Sequence, residues 1–151
     1  MISLDKIKEA HKKIAPYVNA TPLMYSDFLS QNKTVKLKLE SLQITGSFKL
    51  RGAVNKLLSL SEEQKKKGVV ACSTGNHGKG VAYAANVLGI KSTIYMSTMV
   101  PQYRKEAIEA LGAKVEIVGN NSDEADLYSR EIANKEKITL IHPSVSYTHL
   151  R

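Results

Sequence analysis

Apolar and polar positions change rhythm twice along the chain. At the start, Leu4, Ile7, Ala10 and Ile14 recur at helical spacing, which predicts an amphipathic helix over residues 3–15. Pro16 ends it, because proline removes a backbone donor and clashes with the preceding turn. VKLKLE, residues 35–40, alternates strictly and predicts a half-buried strand. After Ser47, Leu50, Val54, Leu57 and Leu58 are spaced to put a second helix face on a core. From residue 68 short apolar runs alternate with helical patterns. GVVACS, STIYM, AKVEIVG and ITLIH read as strands. Between them lie helices over residues 76–89, 102–111 and 122–135, the first two closed by Gly89 and Gly112. Ser122 is the expected cap of the third, with acids in its first turn. Strands alternating with helices predict an α/β fold, a parallel sheet covered on both faces.

Composition adds limits. At 151 residues, with 42% hydrophobic and 24% charged residues, the chain suits one soluble globular unit. No apolar run approaches the roughly 18 residues of a membrane helix. The first residues mix both charge signs and are not expected to act as a signal peptide. The single cysteine, Cys72, excludes an internal disulfide and fits a reducing cytoplasm. A net charge of +8 raises nucleic-acid binding. However, the basic residues are dispersed. Their dense run, residues 65–67, follows Glu62 and Glu63, where cations complement a helix dipole. No nucleic-acid or membrane partner is expected, nor a metal, because no second His, Cys or acid stands at ligand spacing from His77.

Two short stretches carry candidate chemistry. STGNHGKG, residues 73–80, lies between a strand and a helix, where backbone amides and the helix dipole suit a carboxylate or phosphate. Its G-x-x-G-x-G spacing is neither the dinucleotide fingerprint nor a P-loop. The same glycines also suit a capped helix packed tightly on a sheet. His77 reads as a capping or hydrogen-bonding histidine, and Cys72 as a packed core thiol. In ITGSFKLRGA, residues 44–53, Lys49 stands at a helix start beside Phe48, with Ser47 as the expected N-cap and Gly46 leaving room for a ligand. An ordinary surface lysine and a Schiff-base nucleophile both fit that setting.

SFKLRG resembles the lysine motif of the fold-type II pyridoxal-phosphate enzymes, and STGNHG resembles their asparagine loop. The resemblance continues through YMSTMVPQYRKEAIEALGAKVEIVG and runs from about residue 14 to residue 143. Lys49-Leu50-Arg51 and Gly75-Asn76-His77 match the threonine/serine dehydratase and serine racemase group. Cysteine synthases and threonine synthases instead read K-D-R and G-N-T. ITGSFKLRGA, STGNHG and MSTMVP together resemble the dehydratases of hydroxyectoine utilisation.

The resemblance implies three-layer, parallel-sheet lobes of the tryptophan synthase beta-like fold, here only their N-terminal part. Residues 1–65 would begin the large lobe and 66–143 form the small one. SVSYTHLR, residues 144–151, does not resemble the family's continuation and is expected to be non-native. Lys49 would bond covalently to pyridoxal 5'-phosphate and later take the substrate Cα proton. Phe48 would lie against the cofactor ring, and Asn76 would bond its 3-oxygen. Ser73, Thr74, Gly75, Asn76 and His77 would grip the carboxylate of an amino-acid substrate. The implied reaction releases ammonia and a 2-oxo acid. Racemisation is the alternative, with Thr74 holding its hydroxyl where racemases place a serine. A non-catalytic anion- or nucleotide-binding module is a further alternative. The resemblance also implies a cytoplasmic homo-oligomer about twice as long. Without the remainder, weak cofactor retention and no meaningful turnover are expected.

Overall fold

The computed structural model describes residues 2–143, so the tail at 144–151 lies outside the described residues. Helix α1 is Leu4–Ile14, capped by Ser3, whose side chain accepts from the Lys6 amide. Pro16 then sits in a 3-10 turn, Ala15–Tyr17. Only Ile14 of the expected apolar face is buried; Leu4 is 63% exposed and Ile7 54%. The helix is legible in the sequence, but the exposure of its first two turns is not. Two strands follow, β1 (Leu23–Tyr25) and β2 (Lys36–Lys38), paired antiparallel. The VKLKLE alternation predicts a half-buried strand; β2 is instead exposed on both faces. β1 carries no sequence signal, being only three residues long.

Helix α2 spans Lys49–Leu58 and α3 spans Glu62–Lys67. Ser61 and Gln64 form a reciprocal capping box at the start of α3, and the three lysines fall in its last turn, as expected. The regular half follows: β3 (Val69–Cys72), α4 (Asn76–Val87), β4 (Ser92–Met96), α5 (Gln102–Glu109), β5 (Lys114–Ile117), α6 (Ser122–Glu136) and β6 (Thr139–Leu140). The four strands form a parallel sheet in the order β5-β4-β3-β6. The α/β reading therefore holds, with the antiparallel ribbon as an addition.

Alternation along the strands sorts the core into two layers. Val69, Ala71, Ile94 and Met96 join Leu50, Val54, Leu57, Val81, Ala85 and Ile108 from α2, α4 and α5. Val70 and Tyr95 point the other way and meet Ala133 of α6. Leu50, Val54 and Leu57 are fully buried. Each stabilises the fold by about 1.5–3 kcal/mol relative to exposure. α2 and α4 pack so closely that a Cβ on Gly80 would lie 3.2 Å from the Leu50 amide nitrogen and 3.3 Å from the Lys49 carbonyl carbon. The small residues of α4 thus set the position of the helix that begins with Lys49.

Candidate active site

The lysine segment is shaped by a glycine turn. Gly46 has φ +73°, a conformation glycine adopts without steric cost. Its N–H donates to the Gln43 carbonyl at 2.7 Å. α2 begins directly at Lys49, with Phe48 in the cap position. Ser47, the expected cap, stands one residue earlier, yet its hydroxyl still accepts the Lys49 N–H at 3.3 Å. The Lys49 amine donates to the Pro143 carbonyl at 2.9 Å and lies 5.4 Å from the centre of the Phe48 ring. Phe48 itself is 60% exposed. Lys49 takes part in none of the ion pairs among the described residues.

The asparagine loop leaves β3 at its carboxyl end. The Ser73 N–H donates to the Tyr95 carbonyl at 3.3 Å, and the Ser73 hydroxyl accepts the Gly75 N–H at 3.4 Å. Gly75 caps α4 without a side-chain bond. Ser73, Thr74 and Gly75 are half-buried, and Asn76 is exposed. A Cβ on Gly75 would meet nothing within 4 Å, so open space adjoins the first turn of α4. The first-turn amides of a helix have no intrahelical acceptors, and its dipole favours an anion there. Gly78, one turn in, packs tightly: a Cβ there would lie 2.7 Å from the Ser73 carbonyl oxygen and 2.8 Å from Ile108 Cδ1.

His77 is buried, and its Nε2 lies 2.8 Å from the Ile141 carbonyl oxygen. A carbonyl only accepts, so the ring carries its proton on Nε2. Burial pushes the His77 pKa below its ordinary value, the Ile141 bond opposes that, and the positive charge of Lys49 pushes it down further. His77 is therefore the hydrogen-bonding histidine the sequence suggested. Lys49 and His77 grip carbonyls two residues apart, Pro143 and Ile141, on the segment leaving β6. One short stretch of backbone joins the two motifs.

Cys72 is half-buried, with its Sγ 4.0 Å from the Ser122 carbonyl oxygen. Burial, helped by Asp126, pushes its thiol up to about 11, which makes it a poor nucleophile. Among the described residues no group of three or more His, Cys, Asp or Glu could hold a metal ion. No described helix is long and apolar enough to cross a membrane.

Sequence reasoning passes over three features. Thr45, beside the glycine turn, is buried, and its hydroxyl has no partner among the described residues. Arg51 forms a two-pronged pair with Glu40, Nε to Oε2 at 2.9 Å and Nη2 to Oε1 at 2.8 Å. The 141–143 carbonyls complete the set. None has a local sequence signal: the burial of Thr45 and the contacts of the other two arise only when separate segments fold together.

Comparison with known proteins places the chain in a family. The family model described as pyridoxal-phosphate dependent enzyme matches residues 14–151. A catabolic L-threonine dehydratase of Staphylococcus aureus is 47% identical over 146 residues, covering 95% of this chain and 42% of the relative. The structure is similar to a serine racemase from Dictyostelium discoideum, with a TM-score of 0.85 at 36% identity, over 94% of this chain and 47% of that one. It is also similar to a threonine deaminase from T.th., with a TM-score of 0.84 at 40% identity, over 97% of this chain and 46% of that one. The chain belongs to the pyridoxal-phosphate dependent enzymes. Within them it falls in the fold-type II, threonine dehydratase and serine racemase group, and it spans less than half the length of those relatives.

Pyridoxal phosphate fits the residues present on three observations. The Lys49 amine is bonded to a peptide carbonyl, so losing its proton would strand no carboxylate. The Thr45 hydroxyl is buried without a partner among the described residues. Open space lies at Gly75, at the helix end suited to an anion.

Proposed function

We propose that this chain forms the lysine and asparagine-loop part of a pyridoxal-phosphate-dependent ammonia-lyase. Its substrate would be L-threonine, L-serine or a related hydroxylated amino acid, and its products a 2-oxo acid and ammonia. The observation that carries this reading is the joint between the Lys49 amine and His77 in the first turn of α4, made by the Pro143 and Ile141 carbonyls. When bound, the cofactor supplies an electron sink for breaking bonds at the substrate Cα.

Lys49 would hold the cofactor and afterwards carry the Cα proton on its Nζ. Phe48 would cover one ring face, and Asn76 would bond the ring 3-oxygen. Ser73, Thr74, Gly75, Asn76 and His77 would orient the substrate carboxylate through amides and hydroxyls at the end of β3. The neutral His77 would brace this loop against the backbone at residue 141. The motifs ITGSFKLRGA, STGNHG and MSTMVP favour, within this reading, a substrate like that of the hydroxyectoine-utilisation dehydratases. The lobe boundary near residue 65 and a cytoplasmic homo-oligomer belong to the same proposal; α2 packs against α4 across that boundary. Similarity to a serine racemase supports a second reading, in which the Thr74 hydroxyl returns a proton to the opposite face.

The lysine assignment is tested by adding pyridoxal phosphate, reducing with borohydride and mapping the labelled peptide. Label is expected on Lys49 and is expected to vanish from that peptide in Lys49→Ala. Equal labelling of all surface lysines would defeat the reading. On protein of the relatives' full length, product analysis separates the two reactions: ammonia with a 2-oxo acid marks the lyase, an inverted enantiomer the racemase.

A further inference from the structure

Resting on the lysine reading above, we propose that Arg51 and Glu40 are positioning residues that set the direction of the Lys49 side chain. Arg51 stands two residues past Lys49 on α2, roughly 200° around the helix, so the two side chains leave opposite sides. Whatever fixes Arg51 therefore fixes the rotation of α2 about its own axis, and with it the aim of Lys49.

The fixing is thorough. Besides its two bonds to Glu40, the guanidinium donates through Nη2 to the Asn19 carbonyl at 3.1 Å and to the Thr21 hydroxyl at 3.4 Å. Glu40 also accepts the Thr21 hydroxyl proton at 2.5 Å, and Lys38 Nζ donates to the Thr21 carbonyl at 2.5 Å. The other end of the lysine loop is tied to the same stretch. Gln43 Oε1 accepts the Asn19 N–H at 2.8 Å, and Gln43 Nε2 donates to the Asn19 carbonyl at 3.1 Å. The glycine turn and Phe48 are thus held between two anchors on residues 19–21.

Both charged side chains are largely shielded, Arg51 at 23% exposure and Glu40 at 17%. A planar fork on a carboxylate specifies orientation as well as distance, which an ammonium in the same place does not. A small misplacement of a reacting group lowers its rate strongly.

The test is competitive labelling of the 151-residue chain with limiting pyridoxal phosphate and borohydride. The ratio of label on Lys49 to label on Lys56 is read by peptide mass spectrometry. Lys56 is exposed on the same helix and serves as the internal standard. Circular dichroism melts check that each variant is folded. In Arg51→Lys and Arg51→Met the ratio is expected to fall by about tenfold or more, and in Glu40→Gln by less. An unchanged ratio in folded Arg51→Lys overturns the proposal, and the wild-type preference for Lys49 then leaves the lysine reading standing. If Arg51→Met does not fold, Arg51→Lys decides alone. A wild type with no preference for Lys49 overturns both.

Discussion

The carboxyl of Glu40 is held down at about 2, against an ordinary 4.5, chiefly by hydrogen bonds from Arg51 and then from Thr21, which outweigh burial. A carboxylate whose folded pKa is depressed adds stability above its unfolded pKa. That stability is lost as pH falls through the folded value. The window is therefore pH 4.5 down to about 2. Allowing for screening of a partly exposed pair, the loss is about 1–2 kcal/mol. Urea unfolding of wild type and Glu40→Gln across that window checks it, and parallel curves would refute the assignment. His77 acts at milder acidity. Its folded pKa is lowered below 6.5, so the unfolded chain binds the extra proton first and stability declines as pH drops beneath 6.5. Lys49 and His142 lie near it, and both oppose its protonation. His77→Gln should flatten the stability curve just below pH 6.5 while leaving the Glu40 window intact.

Between elements, the controlling contact is α4 on α2 at Gly80. Alanine there would gain about 1 kcal/mol of helix propensity. Its methyl, however, would press on the Leu50 and Lys49 backbone at 3.2–3.3 Å, where no side chain can swing away. Overpacking costs about 1–3 kcal/mol, so Gly80→Ala should be net destabilising by about 1 kcal/mol in denaturant unfolding. It should also lower borohydride-trapped label on Lys49, because the contact moves the first turn of α2. This contact shows what the sequence could and could not reveal. The regular half is legible because apolar runs and punctuating glycines carry their own periods; Gly89 and Gly112 do take positive φ, +66° and +95°. The cap of α6 is Asn121 rather than the expected Ser122. As a capping residue Asn121 is equally competent, and it reaches both the Asp123 and Glu124 amides. The bonds that assemble the site, Lys49 to Pro143, His77 to Ile141 and Arg51 to Glu40, link segments that only tertiary folding brings together. No local period encodes such pairs, so the motifs are visible in the sequence and their joints are not.

Across the whole molecule, packing is uneven, and so should be its dynamics. The sheet strands β3 and β4 lie inside the two apolar layers, with Val69, Val70, Ala71, Ile94 and Met96 all buried. The ribbon of β1 and β2 has no such cover: Leu23 is 60% exposed, and nearby Phe28 is 85% exposed. A two-stranded ribbon whose apolar residues stay exposed, as Leu23, Met24, Tyr25 and Leu37 do here, is marginal in water. Its flanking residues Thr21 and Glu40 are bonded to Arg51 of α2. Regions with few buried apolar contacts open locally at low free-energy cost, whereas core strands exchange only through global unfolding. Native-state hydrogen exchange should therefore find the amides of residues 23–25 and 36–38 opening well before those of residues 69–72 and 92–96. Arg51→Met should loosen the ribbon further without changing exchange in the sheet, because Arg51 meets the ribbon's base and not the strands of the sheet. Equal protection of ribbon and sheet would mean the ribbon draws stability from contacts other than these. The Arg51 anchor would then lose its claim to hold the lysine loop from that side.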